Sequence, residues 1–132
     1  MLRAINPVSC GNPIGPYNNG LLAPAGQLLA IAGQAGTHPS GEIVSKQAGL
    51  QASAIFGKIS SILEAAGGTT SDLIALTIYL RDAADYSAVN EARKAHLVEP
   101  YPVSATVTGI GFLSEDMLVE ISALAVVGAS RP

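Results

Sequence analysis

One continuous apolar run constrains this chain more than any other segment: Leu73-Ile74-Ala75-Leu76-Thr77-Ile78-Tyr79-Leu80. Runs of this kind are typical of strands that are covered on both faces, because neither face then needs a polar row for water. Arg81 and Asp82 follow the run and end it. The sequence therefore predicts a strand over 73–80 that lies inside a layered domain.

The stretch before this strand has helical spacing. Apolar residues recur at steps of three and four between Lys46 and Ala66, and Gly67-Gly68 supplies a stop. The apolar side consists of Ala52, Ile55, Phe56, Ile59, Ile62, Leu63 and Ala66. Because Ser, Gly and Ile lower the intrinsic helix propensity, packing must stabilise this helix.

A second helix is predicted from Asp85, as the N-cap, to about Val98. Pro100 and Pro102 close it, since proline cannot continue a helix. One side of this helix carries Tyr86, Val89, Arg93 and His96 or Leu97.

Further strands are predicted at 27–34, 103–108 and 117–127. The order is then strands, helix, strand, helix and two strands. This order is typical of an α+β sandwich, in which both helices pack on one face of a mixed sheet. The second sheet face would be uncovered by its own chain. Hydrophobic residues make up 48% of the chain and charged residues only 13%, so the composition favours a homo-oligomer that covers this face.

Length and composition narrow the class of protein. A chain of 132 residues is expected to form a single domain over 1–132. The net charge of −3 argues against a nucleic-acid partner. Cys10 is the only cysteine, so no intramolecular disulfide can form. No apolar run approaches the ~20 residues of a membrane span, and the N-terminus lacks the apolar core of a signal peptide. We expect a cytoplasmic protein without membrane attachment.

Several chemical motifs are absent from the sequence. His38 and His96 have no second ligand at metal-binding spacing, so no metal is expected. Cys10 has no partnering motif. The glycine-rich stretches lack the Gly-Lys-Ser/Thr of a phosphate loop, and no serine-hydrolase elbow occurs.

What remains is a set of polar residues: Tyr17, Gln34, Asn90, Ser104, Thr106 and Glu120. Glu120 stands out because it is the one acid within the apolar strand predicted at 117–127. A carboxylate is costly to bury there unless something binds it or it takes part in chemistry. Alternatively, Glu120 faces water from an edge strand, as polar residues of antiparallel sheets often do. The residues alone leave both interpretations open.

Six short segments occur in an order that matches a known family. They are Ile14-Gly15-Pro16-Tyr17, Ile31-Ala32-Gly33-Gln34, Leu63-Glu64-Ala65-Ala66-Gly67-Gly68, Val89-Asn90-Glu91, Pro102-Val103-Ser104-Ala105-Thr106-Val107 and Leu118-Val119-Glu120-Ile121-Ser122-Ala123. Together they resemble the reactive intermediate deaminase (RidA) family, the YjgF/YER057c/UK114 group. The resemblance covers essentially the whole chain.

The resemblance implies a chorismate-mutase-like fold (bacillus type) that assembles as a barrel-cored homotrimer, with a small-molecule cleft between subunits. It also implies hydrolysis of enamines and imines such as 2-aminoacrylate, without a cofactor. Glu120 is then expected to be catalytic, by positioning or activating water. The residues expected to bind substrate are Tyr17, Gly33, Asn90, Ser104 and Thr106.

One position departs from the family pattern. The family arginine that grips the substrate carboxylate is replaced by Ser104. Arg81, Arg93 and Arg131 belong to other elements, so a substitute arginine would have to come from the fold or from a neighbouring subunit. Arginine offers a carboxylate a planar fork, whereas serine offers one neutral hydroxyl. The sequence therefore predicts an Arg-lacking subgroup whose substrate is shifted away from 2-aminoacrylate. It also predicts that Ser104→Arg raises activity toward 2-aminoacrylate.

Two functions remain open from the sequence. The first is a deaminase-type hydrolase in which Glu120 acts as a general base toward water. The second is a trimer that binds a small metabolite, or regulates through it, without turnover. Ribonuclease activity, which is sometimes attached to this family, is disfavoured by the acidic composition and the lack of a His or Lys catalytic pair.

Overall fold

The computed structural model describes residues 1–129. A four-stranded sheet carries two helices on one face, and a small two-stranded sheet forms near the N-terminus. The elements are β1 (Arg3–Ile5), β2 (Gly20–Leu22), β3 (Gln27–Ala35), α1 (Ala48–Ala65), β4 (Leu73–Leu80), α2 (Tyr86–His96), β5 (Val103–Thr108) and β6 (Val119–Val127). The α+β class and the element order predicted from the sequence are confirmed.

The main sheet has the strand order β3-β6-β4-β5 and mixes both pairing directions. β6 is antiparallel to β3 and β4, whereas β4 and β5 are parallel and are joined through α2. β6, which carries Glu120, therefore lies inside the sheet. The interpretation that Glu120 lies on an edge strand is therefore wrong.

The core lies between the helices and one sheet face. Buried side chains of α1 meet buried side chains of β4 and β6 there, including Ile55, Phe56, Ile59, Leu63, Leu76, Ile78, Leu80, Val119 and Ile121. Along β4 these buried residues alternate with Ala75, Thr77 and Tyr79, which are partly exposed. Within residues 1–129 the run over 73–80 is thus covered on one face, not on both as its composition predicts.

Both helices differ slightly from their predicted bounds. α1 begins at Ala48 rather than Lys46, and α2 spans Tyr86–His96. Asp85 occupies the N-cap position of α2, but its side chain makes no capping hydrogen bond. Instead, the Asp82 side chain accepts a hydrogen bond from the Ala84 N–H at 2.9 Å, which caps the short turn before α2.

Gln51 on α1 fastens the start of β6. Its side chain is completely buried, and Nε2 donates to the carbonyl oxygens of Ser45 and Asp116, both at 2.8 Å. The Leu118 N–H donates in turn to Gln51 Oε1 at 2.9 Å. These bonds hold the backbone directly before Glu120.

None of the helices within residues 1–129 combines the length and apolar character needed to cross a bilayer.

Candidate functional site

Glu120 projects from the sheet face that the helices leave uncovered. Its neighbours Val119 and Ile121 are buried under the helices, and successive strand residues point to opposite faces. In register, Glu120 pairs with Ala35 on β3 and with Tyr79 on β4. The side chain is partly exposed, and no group within residues 1–129 donates a hydrogen bond to its carboxylate. This carboxylate is therefore available to water or to a ligand.

Because Gly33 has no side chain, the Glu120 carboxylate can lie directly against its backbone. The register between β3 and β6 shifts between Ile31 and Gln34, so Gly33 sits in a β-bulge. A Cβ atom at Gly33 would lie 2.5 Å from Glu120 Oε2 and 2.8 Å from its Cδ. Any side chain at position 33 would push the carboxylate away. The structure thus brings together two of the predicted site residues.

A second group of polar residues surrounds Arg93 on α2. Arg93 is only 1% exposed, and its Nη1 donates to Ser104 Oγ at 2.9 Å. Nη2 donates to the Tyr86 hydroxyl at 2.9 Å. Asn90 Oδ1 accepts two bonds, from Nη2 at 2.6 Å and from Nε at 3.1 Å. We call Tyr86, Asn90, Arg93 and Ser104 the arginine cluster.

No acid among residues 1–129 neutralises the charge of the arginine cluster. Within the described part of the chain, Lys94 and Glu91 form the one salt bridge, at 3.4 Å, and no carboxylate lies within that range of Arg93. A guanidinium stays protonated in proteins, and a buried charge is costly unless it is paired. The cluster therefore combines a buried positive charge with neutral hydrogen-bond acceptors.

The position of Arg93 adds a residue that the sequence interpretation left out. Ser104 pairs with Leu76, whose side chain is buried under the helices, so Ser104 faces α2 rather than the uncovered face. The helix on that side brings the Arg93 guanidinium within 2.9 Å of Ser104 Oγ. Its sequence signal was an arginine on the apolar side of the second helix. That signal did not show which strand the side chain reaches.

Of the remaining predicted residues, Thr106 lies on β5 and Tyr17 lies in a segment that contacts the start of β5, whereas the Gln34 side chain bonds to its own strand. Thr106 pairs with Ile78 and shares the sheet face of Ser104. The segment that carries Tyr17 reaches the start of β5, because Asn18 Nδ2 donates to the Tyr101 carbonyl at 2.7 Å. Gln34 Nε2 instead donates to the nearby Ala32 carbonyl at 3.1 Å.

The predicted site residues therefore fall into two groups on opposite faces of the sheet. Gly33 and Glu120 lie on the uncovered face, whereas Asn90 and Ser104 lie on the helix face beside Arg93. Within one chain, therefore, Glu120 and Ser104 do not face each other. Arg131, which the sequence left as a possible substitute for the family arginine, lies outside the described residues.

The fold and the two residue groups define a small α+β protein that carries a free carboxylate on its sheet and a buried guanidinium behind it. The family model described as Endoribonuclease L-PSP matches residues 9–127. This chain belongs to that family, the RidA (YjgF) family that its motifs resemble.

Named relatives agree with this membership. A RutC family protein of Pyrococcus horikoshii is 39% identical over 114 residues, which cover 86% of this chain and 88% of the relative. The 2-iminobutanoate/2-iminopropanoate deaminase of Homo sapiens is 30% identical over 127 residues, with 96% and 90% covered. A crystal structure of RidA from an Antarctic Psychrobacter superimposes with a TM-score of 0.71 at 31% identity, over 87% of this chain and 91% of that one.

Proposed function

We propose that the protein hydrolyses the C=N bond of a small imine, or of the imine tautomer of an enamine, without a cofactor. Relatives about 30% identical to this chain are named imine deaminases. The observation that carries the proposal is the Glu120 carboxylate, which receives no hydrogen bond within residues 1–129 and fits against the glycine of a β-bulge.

In the proposed reaction, Glu120 takes a proton from water while the water oxygen bonds to the imine carbon. The electron pair of the C=N bond moves to nitrogen, which receives from Glu120 the proton taken from water, so a neutral carbinolamine forms. Glu120 then takes the hydroxyl proton of the carbinolamine and delivers it to nitrogen as the C–N bond breaks, so a carbonyl compound and ammonia leave and the carboxylate is regenerated. General acid–base catalysis of this kind contributes about 10²–10⁴-fold to a rate.

The active site is proposed to lie between copies of the chain, in a homotrimer. The uncovered sheet face carries exposed apolar side chains, including Leu28 at 66% and Leu124 at 39% exposure. Surfaces of this kind mark interaction sites. Because Glu120 and Ser104 face opposite sides of one sheet, a cleft that contains both takes each from a different copy. A small-molecule ligand would bind in that cleft.

The substrate is proposed to be shifted away from 2-aminoacrylate, because Ser104 stands where the family arginine would grip a carboxylate. A charge-assisted, bidentate contact is about twice as strong as a neutral hydrogen bond. Its loss would cost about 1.5–3 kcal/mol, which is roughly tenfold to hundredfold in affinity. Serine is also much shorter than arginine, so more space remains for the ligand.

The test is release of ammonia from a panel of neutral and acidic imines. We expect Glu120→Gln to lower the rate by about 10²-fold or more, because the amide cannot accept the proton from water. Glu115→Gln is the matched control, since Glu115 is exposed in the loop before β6 and belongs to neither residue group. Equal rates for Glu120→Gln and the wild type would overturn the proposal.

The alternative is a trimer that binds a small metabolite without turning it over, and the replacement of the family arginine by Ser104 favours it. Saturable binding by calorimetry, together with absent ammonia release across the panel, would support this alternative. Ribonuclease activity has less support, because a net charge of −3 is unfavourable for binding RNA. An RNA-cleavage assay is expected to show no activity.

A further inference from the structure

We propose that Arg93 is a positioning residue that converts Ser104 and Tyr86 into a two-hydroxyl clamp for the carboxylate of an acidic substrate. The reaction performed on that substrate rests on the function proposed above, whereas the binding of the carboxylate does not. The clamp is assembled within one chain, since all three residues belong to α2 and β5.

The direction of the hydrogen bonds is set by arginine. A guanidinium has five N–H donors and no acceptor, so Ser104 Oγ and the Tyr86 hydroxyl both accept from it. Each hydroxyl has one proton, which therefore points toward some other acceptor. No group within residues 1–129 accepts either proton. Arg93 thus leaves two donors directed away from itself.

Burial strengthens these two donors. Arg93 is enclosed, while Ser104 is partly exposed and Tyr86 is 37% exposed, so the hydroxyls lie between the buried charge and the surface. Asn90 accepts two bonds from the same guanidinium and fixes its plane. Hydrogen bonds in a low-dielectric environment polarise one another, so each hydroxyl becomes a stronger donor.

This arrangement selects an anionic ligand group. The guanidinium has no carboxylate partner among the described residues, so an incoming acid would supply the missing negative charge. The two hydroxyls are hydrogen-bonded to the two terminal nitrogens of one planar guanidinium. They therefore form a second pair of donors, one hydrogen bond further from the guanidinium carbon than its own N–H groups. A neutral amide could accept the same bonds but would gain less from the charge.

The geometry also sets the shape of the acidic substrate. On β5 the side chain ends at Ser104 Oγ, well short of the reach of an arginine from the same position. The bound carboxylate would therefore lie closer to β5 than a carboxylate held directly by the family arginine. An acidic imine with additional atoms between its carboxylate and its C=N carbon fits this site better than 2-aminoacrylate. The proposed substrate then differs from 2-aminoacrylate in the number of atoms between its carboxylate and its C=N carbon, and it is still an acid.

The test uses unreactive probes: a 2-oxo acid, a 4-oxo acid and the neutral amide of each, titrated into the full-length protein by calorimetry. We expect the 4-oxo acid to bind most tightly. Arg93→Met should weaken both acids at least tenfold and leave both amides within twofold. Ser104→Ala and Tyr86→Phe should each weaken the acids and keep the native fold, because both side chains are partly exposed. Arg3→Met, a change at an exposed arginine on β1, is the control.

The outcomes of these titrations distinguish the clamp from general damage to the fold and from the proposed hydrolase. Unchanged acid binding in a folded Arg93→Met variant would overturn the clamp, and so would equal loss of acids and amides, which indicates general damage. If Arg93→Met fails to fold, unchanged acid binding in both Ser104→Ala and Tyr86→Phe would overturn it. Glu120→Gln is expected to retain acid binding. Arg93-dependent binding without any turnover would refute the hydrolase and leave the clamp standing.

Discussion

The guanidinium of Arg93 shows how one buried side chain changes the chemistry of its neighbours. Its partners Tyr86, Asn90 and Ser104 are neutral and reach it from helix and strand. Each partner would be an ordinary polar surface residue if Arg93 were absent. With Arg93 present, two hydroxyls are oriented as donors next to a positive charge. The serine on β5 is therefore not equivalent to an arginine position left empty.

This contact changes the expected result of Ser104→Arg. The sequence predicts a gain of activity toward 2-aminoacrylate, but the new guanidinium would stand beside Arg93, and like charges repel. We expect the single variant to gain little and to lose stability. The double variant Arg93→Met with Ser104→Arg should gain about tenfold or more, because one guanidinium is then free to bind the carboxylate directly.

The measurement for this pair is ammonia release from 2-aminoacrylate generated in situ, with thermal melting of each variant. Arg93→Met alone is the control for loss of the buried charge. A single Ser104→Arg variant as active as the double variant would show that Arg93 does not constrain position 104.

At the scale of elements, helix and strand periodicity predicted most of the architecture. Apolar spacing identified α1 and α2 to within a few residues, and the runs of β-branched and apolar residues identified β4, β5 and β6. The predicted capping bond of Asp85 was wrong, because Asp82, three residues earlier, carries the same side chain and caps the short turn before α2. The sequence alone does not show which of two nearby aspartates makes the capping hydrogen bond.

The attachment of α1 to β6 through Gln51 gives a prediction about stability. Gln51→Ala would leave the Ser45 and Asp116 carbonyls and the Leu118 N–H without their side-chain partner. Each of these three part-buried hydrogen bonds contributes about 0.5–1.5 kcal/mol. We therefore expect the free energy of unfolding to fall by at least about 2 kcal/mol.

Denaturant titration measures this free energy. Gln47→Ala is the control, since Gln47 is exposed and makes no side-chain capping bond at the start of α1. Equal midpoints for Gln51→Ala and Gln47→Ala would show that the start of β6 does not depend on the Gln51 side chain.

At the scale of the whole molecule, the sheet presents an apolar face that its own helices do not cover. Leu28 and Leu124 are exposed there, on the same face as Glu120. A charge in the centre of this face would be buried without a partner in a homotrimer, which is costly. Leu124→Glu is therefore expected to dissociate the proposed homotrimer into folded monomers and to abolish a site shared between copies.

Light scattering after gel filtration measures the mass of each variant, and ammonia release measures its activity. Leu113→Glu is the control, because Leu113 is fully exposed in the loop between β5 and β6. If the wild type is itself a monomer, or if monomeric Leu124→Glu stays fully active, a site shared between copies is excluded.

The sequence by itself determined the two helices, the strands of the main sheet and the α+β class, and it singled out Glu120 and Gly33 as candidate site residues. These follow from apolar periodicity and from short motifs, which are local properties of the chain. The tertiary structure decided which side chains meet. The β4–β5 register turns Ser104 toward α2, and the β4–β6 register turns Glu120 to the opposite face. Strand registers and helix docking join residues distant in the chain, so only the folded chain brings Arg93 to Ser104.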